Sequence, residues 1–139
     1  MRIERILSGD AVLAAGDLFD APPIPAVTER FLATPGHHLL FAYDESGRAL
    51  GMISGVEMTH PDKGTEMFIY ELGVDERFRG RGVASALMRR LTEICVERGC
   101  REMFVLTDDD NVAAMATYRK AGGKREPDSV LWLWSWPEN

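Results

Sequence analysis

A strand, a glycine-rich turn and a helix follow one another in the middle of the chain, and this segment limits the fold more than any other. The apolar run Met67–Val74 is typical of a strand, and after a short charged turn the sequence continues Arg79-Gly80-Arg81-Gly82-Val83-Ala84. A helix that begins at such a turn leaves several main-chain N–H groups unpaired beside the positive end of its dipole. The two glycines carry no Cβ, so an anion can approach the main chain closely. The segment therefore predicts a phosphate-binding turn, to which both arginines can add charge.

Hydrophobic periodicity predicts an alternation of strands and helices along the chain. The predicted strands cover 2–7, 38–43, 49–58, 66–74, 102–106 and 130–134. The predicted helices run from Ser8 or Asp10 to about Phe19, then over 26–33, 83–98 and 111–121, with Gly99 as the C-terminal cap of the third. This order, β-α-α-β-β-β-α-β-α-β, predicts an α/β (α+β) fold with a central mixed sheet and helices on its faces.

The length, cysteine spacing and net charge of the chain exclude several classes of protein. A chain of 139 residues predicts a single domain over 1–139, and no apolar stretch approaches the roughly 20 residues that span a bilayer. The N-terminus lacks the apolar segment of a signal peptide, and Cys95 and Cys100 have neither metal-ligand nor disulfide spacing. We therefore expect a cytoplasmic protein with reduced thiols. A net charge of −6 argues against nucleic acid as a partner and favours a cationic substrate.

Two familiar phosphate-binding turns do not fit this one. A nucleotide P-loop ends in Gly-Lys-Ser/Thr, whereas Gly82 is followed by Val-Ala. A dinucleotide-binding turn would match Gly80, Gly82 and Ser85, with Asp108 as the later acidic residue. However, the preceding strands run as a meander and no second nucleotide-binding half follows, so dinucleotide binding is disfavoured.

The segment Arg-x-x-Gly-x-Ala at 79–84 resembles the coenzyme A pyrophosphate loop of the GNAT superfamily of N-acetyltransferases. A second run resembles the other superfamily signature at the expected distance: Asn111, Ala114, Tyr118, Lys120 and Gly122. The resemblance covers about residues 66–122. It implies a GNAT fold, with a mostly antiparallel mixed sheet flanked by helices on both faces. It also implies acetyl-CoA as the acyl donor, no metal, and a homodimer as a common arrangement.

The resemblance assigns roles to individual residues. The main chain of Leu72, Gly73 and Val74 would bind the pantetheine arm as an added strand does. The amides from Arg79 to Ala84 would hold the pyrophosphate, and Asn111 would contact the pantetheine or order the loop. Tyr118 would contact the cofactor and act as general acid toward the coenzyme A thiolate. From the residues alone, a simple packing role of Tyr118 on its helix would be favoured, and the catalytic role rests on the resemblance.

Carboxylates near the turn are candidates for binding and activating an amine. Glu71 should point away from Tyr70 and Leu72 by strand alternation, and partial burial should raise its pKa toward that of a useful base. A structural carboxylate hydrogen-bonded to nearby main chain is an equal alternative. Asp108 and Asp109 could bind a cationic acceptor, whereas Asp110 is expected to cap the following helix.

The C-terminal run is unusually aromatic. Trp132, Trp134 and Trp136 alternate with Leu131, Leu133 and Ser135, a pattern typical of a strand buried on both faces. We expect this run to pack in the core or against a second subunit, rather than to bind a ring-shaped ligand.

Within the superfamily, Tyr70-Glu71-Leu72-Gly73-Val74 and the acidic run before Asn111 resemble the aminoglycoside 3-N-acetyltransferases. That branch commonly has Asp at the place of Glu71 and Ala at the place of Gly73. The resemblance implies an acetyl-CoA-dependent N-acetyltransferase that acts on a primary amine of a small cationic acceptor, by direct attack in a ternary complex. Alternatives remain: a polyamine or protein-lysine acetyltransferase, an acyl-CoA sensor without turnover, and a nucleotide-binding protein of another class.

Overall fold

The computed structural model describes residues 1–138, and its centre is one five-stranded sheet in the order β1-β2-β3-β4-β5. The strands are β1 (Arg2–Arg5), β2 (His37–Tyr43), β3 (Ala49–His60), β4 (Gly64–Val74) and β5 (Glu102–Val105). The helices are α1 (Gly9–Ala14), α2 (Pro25–Ala33), α3 (Val83–Glu97) and α4 (Val112–Lys120), with short 3-10 turns at Gly16–Leu18 and Glu76–Phe78. The predicted fold class is confirmed.

The first four strands form an antiparallel meander, and β5 adds in parallel to β4 after the α3 crossover. The hairpin between β2 and β3 turns at the predicted place because Asp44 accepts hydrogen bonds from the main-chain N–H of Ser46 and of Arg48. Gly47, with φ of 87°, supplies the left-handed residue that this turn needs.

Two irregularities in β4 shape the middle of the sheet. The β3–β4 register advances from Ser54 opposite Glu71 to Gly55 opposite Ile69, so Tyr70 is the extra residue of a β-bulge. In addition, β5 pairs with β4 only along Glu66–Ile69. From Tyr70 to Val74, the edge of β4 that faces β5 is therefore open.

Apolar residues cover both faces of the sheet. On one face, α3 buries the side chains that recur at helical spacing: Val83, Leu87, Met88, Leu91, Ile94 and Cys95. On the other face, α1, α2 and the segment between them cover Leu39, Phe41 and Met52. Gly99, with φ of 75°, follows α3 in the left-handed conformation expected of a helix terminator.

Two predicted elements were wrong. The first helix ends at Ala14, not near Phe19, and only a single 3-10 turn at Gly16–Leu18 follows it. The predicted strand at 130–134 is absent: Val130–Trp136 is irregular and exposed, not buried on both faces. The alternation of Trp and Leu indicates a preference for extended backbone. A strand also needs a neighbouring strand to pair with, and residues 130–136 lie along none in this structure.

No helix among residues 1–138 is long and apolar enough to cross a membrane. Cys95 and Cys100 are both free thiols. Burial raises the pKa of the Cys95 thiol to about 12, so it remains protonated and inert.

Candidate functional site

The open edge of β4 and the turn that follows it form the centre of the candidate site. Among the described residues, β5 pairs with β4 only as far as Ile69, so the Tyr70–Val74 segment has no strand beside it on that side. Leu72 and Val74 pack their side chains against the α3 core, and this fixes the main chain between them. The three residues predicted to bind pantetheine, Leu72, Gly73 and Val74, therefore lie on an accessible and rigid edge.

The turn from Asp75 to Gly82 is held by its own side chains and opens directly into α3. Asp75 accepts hydrogen bonds from the main-chain N–H of Arg77 (3.0 Å) and from its guanidinium, which lowers the pKa of Asp75 to about 2. Gly80 and Gly82 have φ of 76° and 81°, and nothing lies within 4 Å of the place where a Cβ would be. This open, left-handed main chain is the kind that a bound anion can approach.

The second half of this turn and the start of α3 present main-chain N–H groups that donate to nothing in the described part of the chain. Within the described residues, none of the N–H groups from Gly80 to Ser85 donates a hydrogen bond, and the first bond of α3 runs from Ala86 N to Gly82 O. The N-cap residue Gly82 provides no side-chain cap. Six adjacent donors at the N-terminus of a 15-residue helix are what an anion-binding turn requires.

Positive charge surrounds the turn and comes from four arginines. The guanidinium groups of Arg77, Arg81 and Arg48 lie 5.4–5.9 Å from the centre of the Phe78 ring. Arg79, the other arginine of the predicted turn, donates a 3.4 Å hydrogen bond to the carbonyl oxygen of Val74. Arg48 was not among the predicted residues, because it comes from the distant β2–β3 turn.

Glu71 lies on the face of the sheet opposite α3, near the segment between α1 and α2. Its Oε2 accepts a 2.8 Å hydrogen bond from the main-chain N–H of Asp20, and burial raises the pKa of its carboxyl group. The raised pKa agrees with the prediction of a useful base. The hydrogen bond to the Asp20 main chain agrees equally with the alternative prediction of a structural carboxylate. Orientation relative to Tyr70 was predicted wrongly. Tyr70 packs on Phe68, on the same face as Glu71, because the bulge interrupts the alternation.

Gly73 allows the segment after α1 to press directly on β4. A Cβ at this position would overlap the main-chain carbonyl oxygen of Leu18. The same segment carries a shallow cavity of about 400 Å³, lined by Asp17, Phe19, Asp20 and Pro22 among others. The carboxylates of Asp17 and Asp20 in this cavity therefore lie in the same part of the surface as the carboxylate of Glu71. Such a group of negative charges suits a cationic ligand.

Helix α4 carries the second motif and packs against α3. Asn111 caps this helix, because its Oδ1 accepts a 3.1 Å hydrogen bond from Ala114 N. Tyr118 is half-buried against the α3-side core, and burial raises the pKa of its phenol. No hydrogen bond of its hydroxyl group is found among the described residues, so the proton is free for a ligand.

The structure corrects one prediction for the acidic run before α4. The cap comes from Asn111, so the prediction that Asp110 caps this helix was wrong. The carboxylate of Asp109 lies 3.6 Å from the guanidinium of Arg125, and the Asp108 carbonyl accepts a hydrogen bond from Asn111 N. The three aspartates are exposed, and no group of three or more His, Cys, Asp or Glu in residues 1–138 could hold a metal ion.

Comparison with known proteins agrees with this geometry. The acetyltransferase (GNAT) family model matches residues 6–123, which include β2 to β5, the turn and α4. The chain therefore belongs to the acetyltransferase (GNAT) family. This confirms the family resemblance that the two motifs carried.

Individual relatives support the same conclusion. The N-alpha-acetyltransferase RimI of Mycobacterium tuberculosis is 34% identical over 122 residues, which cover 88% of this chain and 72% of the relative. An aminoglycoside acetyltransferase from an uncultured soil metagenomic sample is 25% identical, with both chains covered completely and a TM-score of 0.77. The structure of AAC(6')-Iy in complex with the bisubstrate analogue CoA-S-monomethyl-acetylneamine shares the fold at 22% identity, 98% coverage of each chain and a TM-score of 0.80.

The chain spans only part of some curated relatives. The matches cover 36% of an acetyltransferase from Pectobacterium atrosepticum and 63% of one from Sodalis glossinidius. The chain therefore spans only about a third to two thirds of the length of these two relatives.

Proposed function

We propose that this protein is an acetyl-CoA-dependent N-acetyltransferase that acts on a primary amine of a small cationic acceptor. The observation that carries the proposal is the row of unpaired N–H donors from Gly80 to Ser85, next to the open edge of β4. A diphosphate held at the turn would leave a pantetheine arm free to run along Leu72–Val74. The thioester would then lie between Glu71 of β4 and Tyr118 of α4.

The reaction needs a neutral amine, whereas a primary amine with a pKa near 10 is almost fully protonated at pH 7. The carboxylate of Glu71, with its raised pKa, would accept the proton, directly or through water. The amine nitrogen then attacks the carbonyl carbon of the thioester, a C–N bond forms and the C–S bond breaks. Main-chain N–H groups of β4 would polarise the carbonyl oxygen during the attack.

The leaving thiolate needs a proton or a hydrogen bond. Tyr118 would supply it, since burial keeps its phenol neutral and its hydroxyl group has no competing partner among the described residues. Asn111 is occupied as the cap of α4, so its proposed role is to fix the position of that helix. Arg79 would leave the Val74 carbonyl when the pantetheine arm takes that place.

For the acceptor, we favour an aminoglycoside modified at its 3-amino group. Support comes from the Tyr70–Val74 segment and from structural neighbours that are named aminoglycoside acetyltransferases. The carboxylates of Asp17, Asp20 and Glu71 lie where a polycationic acceptor would bind. Asp108 would offer a further carboxylate, whereas Asp109 is engaged by Arg125.

A separate observation supports a second class of acceptor, the free α-amino group of a peptide. The 34% identity to RimI covers most of this chain, and that relative is named an N-alpha-acetyltransferase. A peptide with a free α-amino group is therefore the main competitor of the aminoglycoside.

The test is a thiol-release assay with acetyl-CoA and a panel of aminoglycosides, polyamines, lysine peptides and peptides with free N-termini. We expect thiol release with aminoglycosides, and NMR of the product should place the acetyl group on the 3-amino nitrogen. Thiol release with peptides that have free N-termini, and with no aminoglycoside, would mean that the acceptor is a protein N-terminus. Coenzyme A binding without release for any amine would indicate a sensor, and ATP or NAD binding without coenzyme A binding would contradict the proposal entirely.

A further inference from the structure

Tyr70 is an exposed aromatic residue at the point where β5 stops pairing with β4. It is 71% exposed, and among the described residues β5 pairs with β4 only as far as Ile69. The proposed reaction assigns this side chain no role. A single exposed tyrosine is ordinary on a protein surface, so the residues around it decide whether it has a function.

Two phenylalanines hold the ring of Tyr70 in place. The Phe68 ring meets it at an interplanar angle of 76°, with the ring centres 5.6 Å apart. Phe68 in turn stacks on Phe104 of β5, with the ring centres 5.0 Å apart. Edge-to-face and stacked pairs of this kind stabilise aromatic side chains beyond the area that they bury. The ring of Tyr70 is therefore positioned on the sheet although most of it lies in solvent.

The β-bulge in β4 brings this ring and a carboxylate to the same face of the sheet. Ile69 faces the α3-side core, so strict alternation would turn Glu71 toward α3 and Leu72 away from it. Because Tyr70 is the extra residue, Leu72 packs in that core and Glu71 lies beside Tyr70 on the opposite face. Neighbouring Cα atoms are about 3.8 Å apart, so one small molecule can contact both side chains.

The charges around Tyr70 indicate what its ring would bind. Asp20 donates its main-chain N–H to Glu71, and the carboxylates of Asp17 and Asp20 belong to the adjacent shallow cavity. Within the described part of the chain, the arginines that lie over aromatic rings lie over Tyr43 and Phe78, and none lies over Tyr70. An aromatic ring beside carboxylates attracts positively charged groups of a ligand.

We infer that Tyr70 is a specificity-determining residue of the acceptor site, whose ring contacts a second cationic group of the acceptor while Glu71 binds the amine that reacts. This rests on the proposed function, since it requires an amine at Glu71. The ring does not serve the reacting nitrogen itself. A cation–π contact stabilises the charged form of an amine, whereas acetyl transfer needs the neutral form.

The consequence is a preference among acceptors. The site selects amines that carry a further positive charge near the reacting nitrogen, as aminoglycosides and polyamines do. A peptide with a free α-amino group and no basic side chain offers the ring no cation, so it should be a poorer acceptor.

Three substitutions separate a cation–π contact from simple packing. Tyr70→Phe keeps the aromatic ring, Tyr70→Leu keeps an apolar side chain, and Tyr70→Ala removes both. In the thiol-release assay with neamine and with spermidine, the acceptor KM should rise roughly 2- to 30-fold in Tyr70→Leu and Tyr70→Ala, and stay near wild type in Tyr70→Phe. The KM for acetyl-CoA should not change, and kcat should change less than the acceptor KM.

Met58→Ala is the matched control, because Met58 is also exposed but lies opposite Glu66, away from Glu71. It should leave every constant unchanged. A wild-type acceptor KM in Tyr70→Leu, or an equal rise in Tyr70→Phe, would overturn the inference and leave the proposed function intact. So would faster turnover of a tetrapeptide without basic side chains than of neamine or spermidine.

Two other outcomes are distinguishable from these. A changed sedimentation coefficient of Tyr70→Leu with unchanged KM values would assign the ring to a protein contact, and the inference would be wrong. Thiol release with no amine at all would overturn the proposed function, and this inference with it.

Discussion

Tyr118 combines two properties at the residue scale, partial burial and a hydroxyl group without a partner among the described residues. Burial raises the pKa of its phenol, so the hydroxyl group stays protonated over the whole range in which an amine could be acetylated. A raised pKa makes a weaker acid, but a neutral phenol can still donate a hydrogen bond to a thiolate as negative charge develops on sulfur. The geometry thus favours stabilisation of the leaving group over full proton transfer early in the reaction.

Removing the hydroxyl group tests this role. We expect Tyr118→Phe to lower kcat roughly 10- to 1000-fold, since one positioned acid contributes an effect of about that size. The ring remains to pack on the α3-side core, so the fold should be retained. Tyr43→Phe is the control, because Tyr43 packs on the opposite face of the sheet and should leave kcat unchanged. Wild-type turnover of Tyr118→Phe across a full pH profile would remove Tyr118 from the mechanism.

Glu71 should link activity to pH. Its carboxyl pKa is raised above 4.5 chiefly by desolvation, so the base form appears only as pH rises through that higher value. We expect the acidic limb of kcat/KM to lie above pH 4.5 and to disappear or move in Glu71→Gln, while Glu66→Gln on the same strand leaves it in place. An unmoved limb in Glu71→Gln would place the base elsewhere.

The same pKa shift predicts an effect on stability. A carboxyl group whose pKa is raised on folding stabilises the native state fully below its unfolded pKa, and this contribution is lost as pH rises through the folded pKa. Glutamine avoids the cost of a buried charge and can still accept the hydrogen bond from Asp20 N. Glu71→Gln should therefore have a higher Tm than wild type at pH 7, with the difference vanishing below about pH 4. An equal Tm at pH 7 would mean that the carboxylate is well solvated.

At the scale of elements, the contact between β4 and the segment after α1 depends on Gly73. Because a Cβ there would overlap the Leu18 carbonyl, Gly73→Ala should displace the Gly16–Leu18 turn and cost about 1–3 kcal/mol, as overpacking usually does. Urea denaturation measures this cost. Gly9→Ala is the matched control, because its Cβ would meet only the flexible end of the Glu29 side chain. Equal stability of the two variants would contradict a tight contact at Gly73.

Elements with a strong local pattern could be predicted from the sequence, and those that depend on distant partners could not. Helix α3 follows from the spacing of Val83, Leu87 and Leu91, and the turn before it follows from its two glycines. The bulge at Tyr70 has no local mark, because it arises from the register between β3 and β4. The tail at 130–136 shows the opposite error: its pattern is strong, yet no strand forms without a neighbouring edge.

The same distinction between local pattern and distant partners applies to the residues of the candidate site. The two motifs pointed to the turn, Asn111 and Tyr118, because each motif lies within one short stretch of sequence. The contacts of Arg48 with Phe78 and of Asp20 with Glu71 join residues far apart in the chain. Such contacts follow from the packing of whole elements, which periodicity does not specify.

At the scale of the whole molecule, charge is unevenly distributed. The chain carries a net charge of −6, yet Arg48, Arg77, Arg79 and Arg81 lie on or beside one turn, whereas Asp17, Asp20 and Glu71 lie near the proposed acceptor site. An anionic donor and a cationic acceptor would thus be attracted to different parts of the surface.

Titration calorimetry of the full chain with coenzyme A and with pantetheine, which lacks the phosphate groups, tests the central claim most directly. If the unpaired N–H groups from Gly80 to Ser85 hold a diphosphate, coenzyme A should bind one molecule per chain, more weakly as salt is added, and pantetheine should bind far more weakly. An absence of heat with coenzyme A, or equal affinity for both compounds, would contradict the account.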